Sequence, residues 1–368
     1  MSRSGSSAKT SVDMLDSARP EVKQAPALSA LAAALLVLCI GCTSDPSNSP
    51  ESAEESALGT QSDQQLFQRA RASLRAAGVE RLRWGLTPYV APDEIIERYS
   101  PIIDWVSERV GIDIDIHVGD SYQDLERQII EGRIDIAVLG PYAYVGAQSE
   151  NPDIRVFASH VALGSTTYGT YILTHDDSGI ESLEDLRDRD FAFVDRLSTS
   201  GWLSPAAHLL ERGINPVSEV RGRYLGSHEQ VFDAVAANQV AAGAVYSASV
   251  SEGRRRNPMG NHVRILAKCA RIPYDAYTLR AGLEEVVGAA LARALSEIST
   301  RDRRGRQTLK SLARINGFIP VDDRHYDVIR QLEARVVKGL GPAAESDMHG
   351  PSSKQPSGSG KTPGIDNP

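Results

Sequence analysis

Short apolar runs alternate with longer stretches of helical periodicity through most of this 368-residue chain. Residues 134–139 form one such run, and a helical stretch opens directly after it at Gly140-Pro141. Strands that alternate with helices pair mostly in parallel, with the helices packed on both faces of the sheet. The pattern therefore predicts an α/β fold. The predicted strands are 82–86, 112–118, 134–139, 154–161, 168–174, 191–194, 220–225 and 240–246.

A polar segment at 164–168 interrupts this alternation and divides it into two sets. We expect residues 81–165 to form the first part of one lobe and 166–261 to form a second lobe. The chain is then expected to return to the first lobe over 262–340. Two α/β lobes joined by two crossings place a cleft at the carboxyl ends of their strands, where such folds bind ligands. Three final helices are predicted at about 282–298, 305–316 and 322–336.

The amino-terminal region has the features of a secretory signal. Its apolar run, 27–40, is short for a membrane span and is followed by Gly41-Cys42 and a polar stretch. The small residue before Cys42 resembles a bacterial lipobox, which predicts cleavage and lipidation at Cys42. Two features depart from that pattern. Cys39 stands where leucine is usual, and the long region before the run mixes acidic with basic residues (Asp13, Asp16, Glu21, Arg19 and Lys23), so Met14 is an alternative start to Met1. A plain signal peptide or a buried apolar helix is the alternative interpretation.

The two ends of the chain are poor in residues that can form a core. We expect a lipoprotein signal over 1–42 and then a disordered tether over 43–80, with a short amphipathic helix at 66–77. The tail, 341–368, is rich in Gly, Ser and Pro and is expected to be disordered. The predicted location is the bacterial cell envelope, on the periplasmic side, with the lipid as the only membrane contact.

Composition excludes several classes of partner. The net charge of −8 and the pI near 5.6 argue against binding to nucleic acid. The three cysteines lack a zinc-like spacing partner, and Cys39 and Cys42 fall at the end of the targeting segment rather than in a Cys-x-x-Cys redox context. Cys269 is most simply a lone buried thiol. We therefore expect a monomer that needs no cofactor and no metal.

Four small polar residues mark the strongest candidate site. Ser198, Thr199, Ser200 and Gly201 follow the apolar run 191–194 and precede a helical stretch that ends at Gly213. At a strand-to-helix turn, unpaired backbone N–H groups, the positive end of the helix dipole and three hydroxyl groups would converge. Such a turn can hold a small oxyanion. The alternative is an ordinary Ser/Thr helix cap.

Other polar side chains stand at turns that would open towards the same cleft. Tyr122, Tyr142, Tyr168 and Tyr246 each follow or end an apolar run, and a buried phenol needs a hydrogen-bond partner that an oxyanion can supply. His228 begins a helix, where a neutral imidazole could donate one N–H to an anion. Half-buried core tyrosines and a capping or core histidine are the alternatives.

The order and spacing of several motifs resemble the substrate-binding proteins of phosphate, phosphite and phosphonate ABC importers. The resemblance runs from about residue 84 to about 329. It implies a two-lobed periplasmic-binding-protein fold of type II and an ABC permease as partner. The motifs are Asp120-Ser-Tyr122, Ile134-Asp-Ile-Ala137, Gly140-Pro141, Tyr168, Ser198-Thr-Ser-Gly201 with Pro205, Gly226-Ser-His-Glu229, Ala234-Val235 and Ile272-Pro-Tyr-Asp275.

The resemblance also implies roles for single residues. The Ser198–Ser200 hydroxyl and N–H groups would hold phosphorus oxygens, with Tyr122 and His228 as further donors and Asp275 as an acid near the ligand. Ala248 stands where binders of aminoethylphosphonate keep a glutamate. Leu139 stands where they keep a tyrosine, and Tyr142 lies three residues further on.

Three other functions compete with anion capture for an importer. A ligand-sensing lipoprotein of the same fold, reporting to a signalling partner, would have the same sequence features. An enzyme would need a nucleophile–base pair or metal ligands, and the 198–201 segment has no evident base and no Gly-x-Ser-x-Gly elbow. Ferric-iron binding is suggested by Tyr142 and Tyr144, but neighbouring residues on one helix do not converge on one metal.

Overall fold

The computed structural model describes residues 50–312 and 314–341, with side chains from residue 61 onwards. The predicted signal, its lipidation site at Cys42 and nearly all of the predicted tail lie outside these residues. In the described part, none of the helices is both long enough and apolar enough to cross a membrane.

Eleven strands and ten α-helices make up the described chain. The strands are β1 Arg81–Leu86, β2 Asp113–Val118, β3 Ile136–Leu139, β4 Arg155–Ala162, β5 Thr167–His175, β6 Asp190–Phe193, β7 Arg221–Tyr224, β8 Ala242–Tyr246, β9 Val263–Pro273, β10 Ala276–Leu279 and β11 Ile315–Pro320. The α-helices are α1 Pro50–Ala76, α2 Pro92–Val110, α3 Tyr122–Ile130, α4 Pro141–Glu150, α5 Ser204–Glu211, α6 His228–Ala236, α7 Ser247–Arg256, α8 Glu285–Ser296, α9 Arg303–Thr308 and α10 Asp327–Leu340.

The first lobe is built on a six-stranded sheet with the order β11-β4-β10-β3-β1-β2. β1 pairs in parallel with β2 and with β3, so Trp84 lies between Ile116 and Ile136. β10 runs antiparallel between β3 and β4, and β11 runs antiparallel beside β4. The βαβ units therefore form only one half of this sheet, and its pairing is mixed rather than mostly parallel.

The second lobe is built on a five-stranded sheet with the order β7-β6-β8-β5-β9. β6 pairs in parallel with β7 and β8, whereas β5 is antiparallel to both β8 and β9. The apolar run predicted at 191–194 falls on β6, inside this sheet, where Phe191 and Phe193 are fully buried. The carboxyl end of β6 therefore delivers the 195–200 segment to the face of the lobe where the cleft was expected.

The second crossing between the lobes lies later than the sequence suggested. Residues 263–273 were expected in the first lobe, but they form β9 and pair with β5 from Thr167 opposite Pro273 to His175 opposite Val263. The chain re-enters the first sheet only at β10. The prediction was wrong because a strand's side-chain pattern does not identify the sheet whose edge it joins.

The carboxyl-terminal part also departs from the prediction. The helix expected at 305–316 is shorter, since α9 ends at Thr308, and residues 315–320 form β11 instead. β11 pairs with β4, with Phe318 opposite His160. Backbone hydrogen bonds to a distant strand override the local helical spacing of Leu309, Leu312 and Ile315.

The tether prediction for 43–80 is wrong over residues 50–76, which form α1. The short amphipathic helix expected at 66–77 is the part of α1 that packs on the first lobe. Phe67, Ala70 and Leu74 lie on one helical face and are buried in the core around the first sheet. Arg293 of α8 also pairs with Asp63 at 2.7 Å. The apolar face of α1 therefore belongs to the folded body.

Candidate functional site

A cavity of about 170 Å³ lies between the two lobes. Pockets for drug-sized ligands have volumes of about 300–1,000 Å³, so this one suits a much smaller molecule. Predicted site residues from both lobes line it: Tyr122, Tyr168, Ser198, Thr199, Ser200, His228, Tyr246 and Asp275.

The segment 198–203 forms the cradle that the sequence suggested. Thr199–Leu203 make one turn of π-helix that continues into α5, and the Gly201 N–H donates to Ser198 Oγ at 3.0 Å. Ser198 is therefore the helix cap that the alternative interpretation expected. The hydroxyl groups of Thr199 and Ser200 are not needed for capping. Within the described chain, no backbone carbonyl accepts the N–H of Thr199 or Ser200. Those two N–H groups remain for an anion.

Gly201 allows the 199–203 turn to pack closely against the end of β6. A Cβ at this position would lie 2.4 Å from the Val194 side chain, so only glycine lets the turn pack against the end of β6. Gly201 does not line the cavity. Gly201 was predicted to contact the ligand. In the structure it instead allows close packing against Val194 and donates its N–H to the helix cap.

Thr199 connects the cradle to the other lobe. Its Oγ1 accepts the backbone N–H of Tyr142, in the first turn of α4, at 2.9 Å, and its side chain is buried. Since the oxygen is used as an acceptor, the hydroxyl proton can be donated to a bound anion. The Thr199 hydroxyl group thus faces the cavity and also bonds to the other lobe.

The four predicted tyrosines do not all reach the cavity. Tyr122 and Tyr168 approach the Ser198 and Ser200 side chains, and burial raises the pKa of both phenols. Both phenols therefore stay protonated and can donate. Tyr142 contributes only its backbone, because its side chain lies in the core near Glu333 and Glu126.

Tyr246 lines the cavity, and its phenol donates to Glu252 Oε2 at 2.6 Å. Tyr144, one of the two residues that suggested iron binding, donates instead to Asp323 Oδ1 at 2.6 Å. Neither Tyr144 nor Tyr142 lines the cavity. In the described residues, no group of three His, Cys, Asp or Glu side chains is arranged to hold a metal ion.

Two buried histidines face the cavity. His228 is the first residue of α6, and its backbone N–H donates to the Tyr89 carbonyl at 3.3 Å. Its imidazole ring packs edge-on against Tyr246, with ring centres 4.7 Å apart. His160, on β4, packs against Tyr274 with ring centres 4.3 Å apart. Burial lowers the pKa of each imidazole to about 3, so both are neutral at physiological pH. A neutral imidazole can donate one N–H to an anion.

Asp275 is the acid of the cavity and lies in the connection between β9 and β10. Burial raises the pKa of its carboxyl group to about 7. Near neutral pH this group exchanges between a form that can donate a proton to an oxyanion and a form that can accept one from a protonated ligand. A permanently ionised carboxylate would instead repel the anion.

Several lining residues were missed from the sequence. Arg98 looks like a surface helix residue because it pairs with Glu94 at i,i+4, and His160 lies inside a strand with no motif around it. Only the folded chain brings these positions to the cavity. The other polar or aromatic lining residues that were missed are Thr87, Tyr89, Tyr99, Ser247, Glu252, Tyr274 and Arg314.

Five helical segments begin at the cavity wall. Tyr122, His228 and Ser247 are the first residues of α3, α6 and α7, while Gly140 and Ser198 cap α4 and the 199–203 turn. The amino-terminal end of a helix carries partial positive charge and unpaired N–H groups. A site built from several such ends attracts an anion without needing an unpaired lysine or arginine.

A larger cleft, of about 550 Å³, lies on the far side of the 195–197 segment, but its charge is wrong for an anion. Only two arginines offset its carboxylates. Burial also raises the pKa of Glu126 to about 8, which shows how poorly negative charge is tolerated there. The carboxylates that line it are Glu126, Glu131, Glu150, Asp195 and Glu333.

Comparison with known families agrees with this geometry. The family model for periplasmic substrate-binding proteins of phosphonate ABC transporters matches residues 84–326. The chain belongs to this family. Over 119 residues it is also 30% identical to the phosphate-import protein PhnD of Mycolicibacterium smegmatis. That alignment covers 32% of this chain and 37% of the length of that curated relative.

Solved structures confirm the type II periplasmic-binding-protein fold. A binding protein component of an ABC phosphonate transporter from Pseudomonas aeruginosa has a TM-score of 0.65 and 22% identity, over 70% of this chain and 87% of that one. PhnD1 from Prochlorococcus marinus, in complex with methylphosphonate, has a TM-score of 0.64 and 17% identity, over 70% of this chain and 98% of that one.

Proposed function

We propose that this member of the phosphonate-binding family captures a small phosphorus oxyanion on the periplasmic side and delivers it to an ABC permease. One observation carries the proposal, namely the convergence of five helical amino-terminal ends on one small cavity between the lobes. The Thr199 and Ser200 N–H groups, three hydroxyls, two phenols and neutral His228 supply the donors that a tetrahedral oxyanion needs. The proposed site is therefore Tyr122, Tyr168, Ser198–Ser200, His228, Tyr246 and Asp275.

The proposed ligand is phosphate, phosphite or a short uncharged phosphonate. The cavity volume of about 170 Å³ favours an ion with at most a small substituent. Ala248 contributes a methyl group to the wall at the position where the resemblance led us to look for an acid. The named relatives act on phosphate or hold methylphosphonate, which is consistent with this range.

We further propose that the protein binds its ligand without chemical change. The cradle hydroxyls contact backbone N–H groups and phenols, and the contacts of Ser198 and Thr199 include no base that would activate them. A sensor that reports to a signalling partner would use the same cavity. Adding the protein to reconstituted vesicles that contain the permease distinguishes the two functions. An importer component should stimulate uptake of the anion, and a sensor should not.

The direct test is calorimetric titration of the full chain carrying Cys42→Ala. We expect phosphate, phosphite or methylphosphonate to bind with one site per chain, and sulfate to serve as the control of similar shape. Binding of none of the three phosphorus anions would refute the proposal. Equal binding of sulfate would show a general tetrahedral-anion site instead.

A further inference from the structure

Glu252 and Arg314 approach the ligand cavity from opposite lobes. Glu252 lies on α7 of the second lobe, and Arg314 immediately precedes β11 of the first. Arg314 Nε lies 3.7 Å from Glu252 Oε1, and the guanidinium group also donates to Ser251 Oγ. The two side chains therefore form an ion pair that bridges the lobes at the cavity wall.

Glu252 lies towards a different side of the cavity from residues 198–200. Glu252 also lines a neighbouring hollow of about 250 Å³, together with His228 and Tyr246, whereas none of residues 198–200 does. An oxyanion held by the cradle would direct its substituent away from the donors that bind its oxygens. The substituent therefore has the Glu252 side of the cavity available to it.

Both carboxylate oxygens of Glu252 are occupied. Tyr246 donates to Oε2 at 2.6 Å, and Arg314 lies next to Oε1. Ala248, one helical turn earlier on α7, also lines the cavity. α7 thus presents to the ligand a methyl group and a carboxylate whose charge is already balanced.

We infer that the Arg314–Glu252 pair determines ligand selectivity by excluding phosphonates that carry a cationic substituent. The inference rests on the proposed oxyanion function. Arg314 takes the place beside Glu252 that a ligand ammonium group would need, and its own charge repels that group. Without Arg314, Glu252 becomes an unpaired carboxylate at the cavity wall, which an ammonium group would stabilise by a charge-assisted hydrogen bond.

The remaining charges at the cavity do not provide the same selectivity. Arg98 is paired with Glu94 on its own helix. Asp275 lies in the connection between β9 and β10, and no arginine among the described residues forms an ion pair with it. Among the carboxylates at the cavity, a change at Arg314 therefore alters the charge balance of Glu252.

The test compares two ligands of the same shape, 2-aminoethylphosphonate and n-propylphosphonate, which differ in the terminal ammonium group. Their dissociation constants are measured by calorimetry for the parent, for Arg314→Met and for Arg314→Met combined with Glu252→Gln. Methionine keeps the apolar stem of the arginine, and glutamine keeps the shape of the glutamate. Phosphate and methylphosphonate, which carry no long substituent, are titrated into the same proteins.

The parent should bind the propyl compound at least as tightly as the aminoethyl compound. Arg314→Met should raise affinity for the aminoethyl compound relative to the propyl compound by about tenfold to a hundredfold, the range of one charge-assisted hydrogen bond. The double variant should return this ratio to the parental value, because the glutamine side chain introduced by Glu252→Gln carries no charge.

A ratio that stays unchanged in Arg314→Met, or a gain that persists in the double variant, would overturn the inference. A parental preference for the aminoethyl compound would do the same, as would a failure of Arg314→Met to bind it while phosphate still binds. If the parent binds neither phosphate nor methylphosphonate, the proposed function itself fails, and that result is distinct from all of these.

Discussion

Removing the Thr199 hydroxyl tests the cradle most sharply, because that group has two functions. Thr199→Val keeps the β-branched shape but removes the acceptor of the Tyr142 N–H, which lies 2.9 Å away in a buried position. It also removes the proton that we expect the bound anion to accept. Ser198 remains in place as the helix cap, so the 199–203 turn should still form.

The expected loss follows from these two contacts. A buried N–H left without an acceptor costs about 1–3 kcal/mol, and a hydrogen bond to a charged group contributes about 1.5–3 kcal/mol. Thr199 and Tyr142 belong to different lobes, so we expect the N–H to be exposed to water when the lobes separate in the absence of ligand. Both effects should then weaken binding. We expect affinity to fall by about two to four powers of ten, with little change in ligand-free stability.

Calorimetric titration and melting curves with and without anion provide the measurement. Thr199→Ser keeps the hydroxyl and is the matched control, which should bind within a few-fold of the parent. If Thr199→Val binds phosphate, phosphite and methylphosphonate as tightly as the parent, the cradle is not at the 199–203 turn. A large loss of ligand-free stability would show that Thr199 is mainly structural.

Three further outcomes are expected. Ser200→Asp places a carboxylate where the anion belongs, so this variant should melt no lower than the parent when ligand-free yet gain no stability from added anion; a gain equal to the parent's would contradict the cradle. Asp275 has a folded-state pKa of about 7 against an ordinary value of 3.8, so the folded chain keeps this proton up to a higher pH than the unfolded chain does. The parent therefore loses stability as pH rises between about 4 and 7. Melting curves across that range should show Asp275→Asn becoming steadily more stable relative to the parent, and a pH-independent difference would refute this assignment. Cys42→Ala should move the protein from the membrane fraction to the soluble fraction, and equal partitioning of the two forms would exclude lipid anchoring at Cys42.

The local sequence pattern was sufficient to predict the features that depend on residues close together in the chain. The run 191–194 followed by Ser198–Ser200 predicted a strand, a turn and a helix start, and these are formed by β6, the 199–203 turn and α5. The same holds for His228 at the start of α6 and Tyr122 at the start of α3. Helix starts depend on sequence-local capping and periodicity, so the sequence could predict the helix ends that we propose bind the anion.

The assignment of strands to sheets was less predictable. β9 was assigned to the wrong lobe, and the start of β11 was predicted as helix. Their pairing partners, β5 and β4, lie about 90 to 160 residues away in the chain, and no local signal records that pairing. Tyr142 was misjudged for a similar reason. Its position at the start of α4 was correct, but the direction of its side chain depends on how α4 packs against α10.

The sequence alone determined the α/β class, the positions of most helix starts and the strand-to-helix turn at 198–203 where we propose that the oxyanion binds, because each of these depends on short-range hydrogen bonding and hydrophobic periodicity. Tertiary structure alone decided what surrounds the cradle. Arg98, His160, Glu252 and Arg314 come from four separate segments of the chain and line one cavity only in the folded protein. Their roles depend on distances between segments far apart in the chain, and such distances are set by the packing of the whole fold.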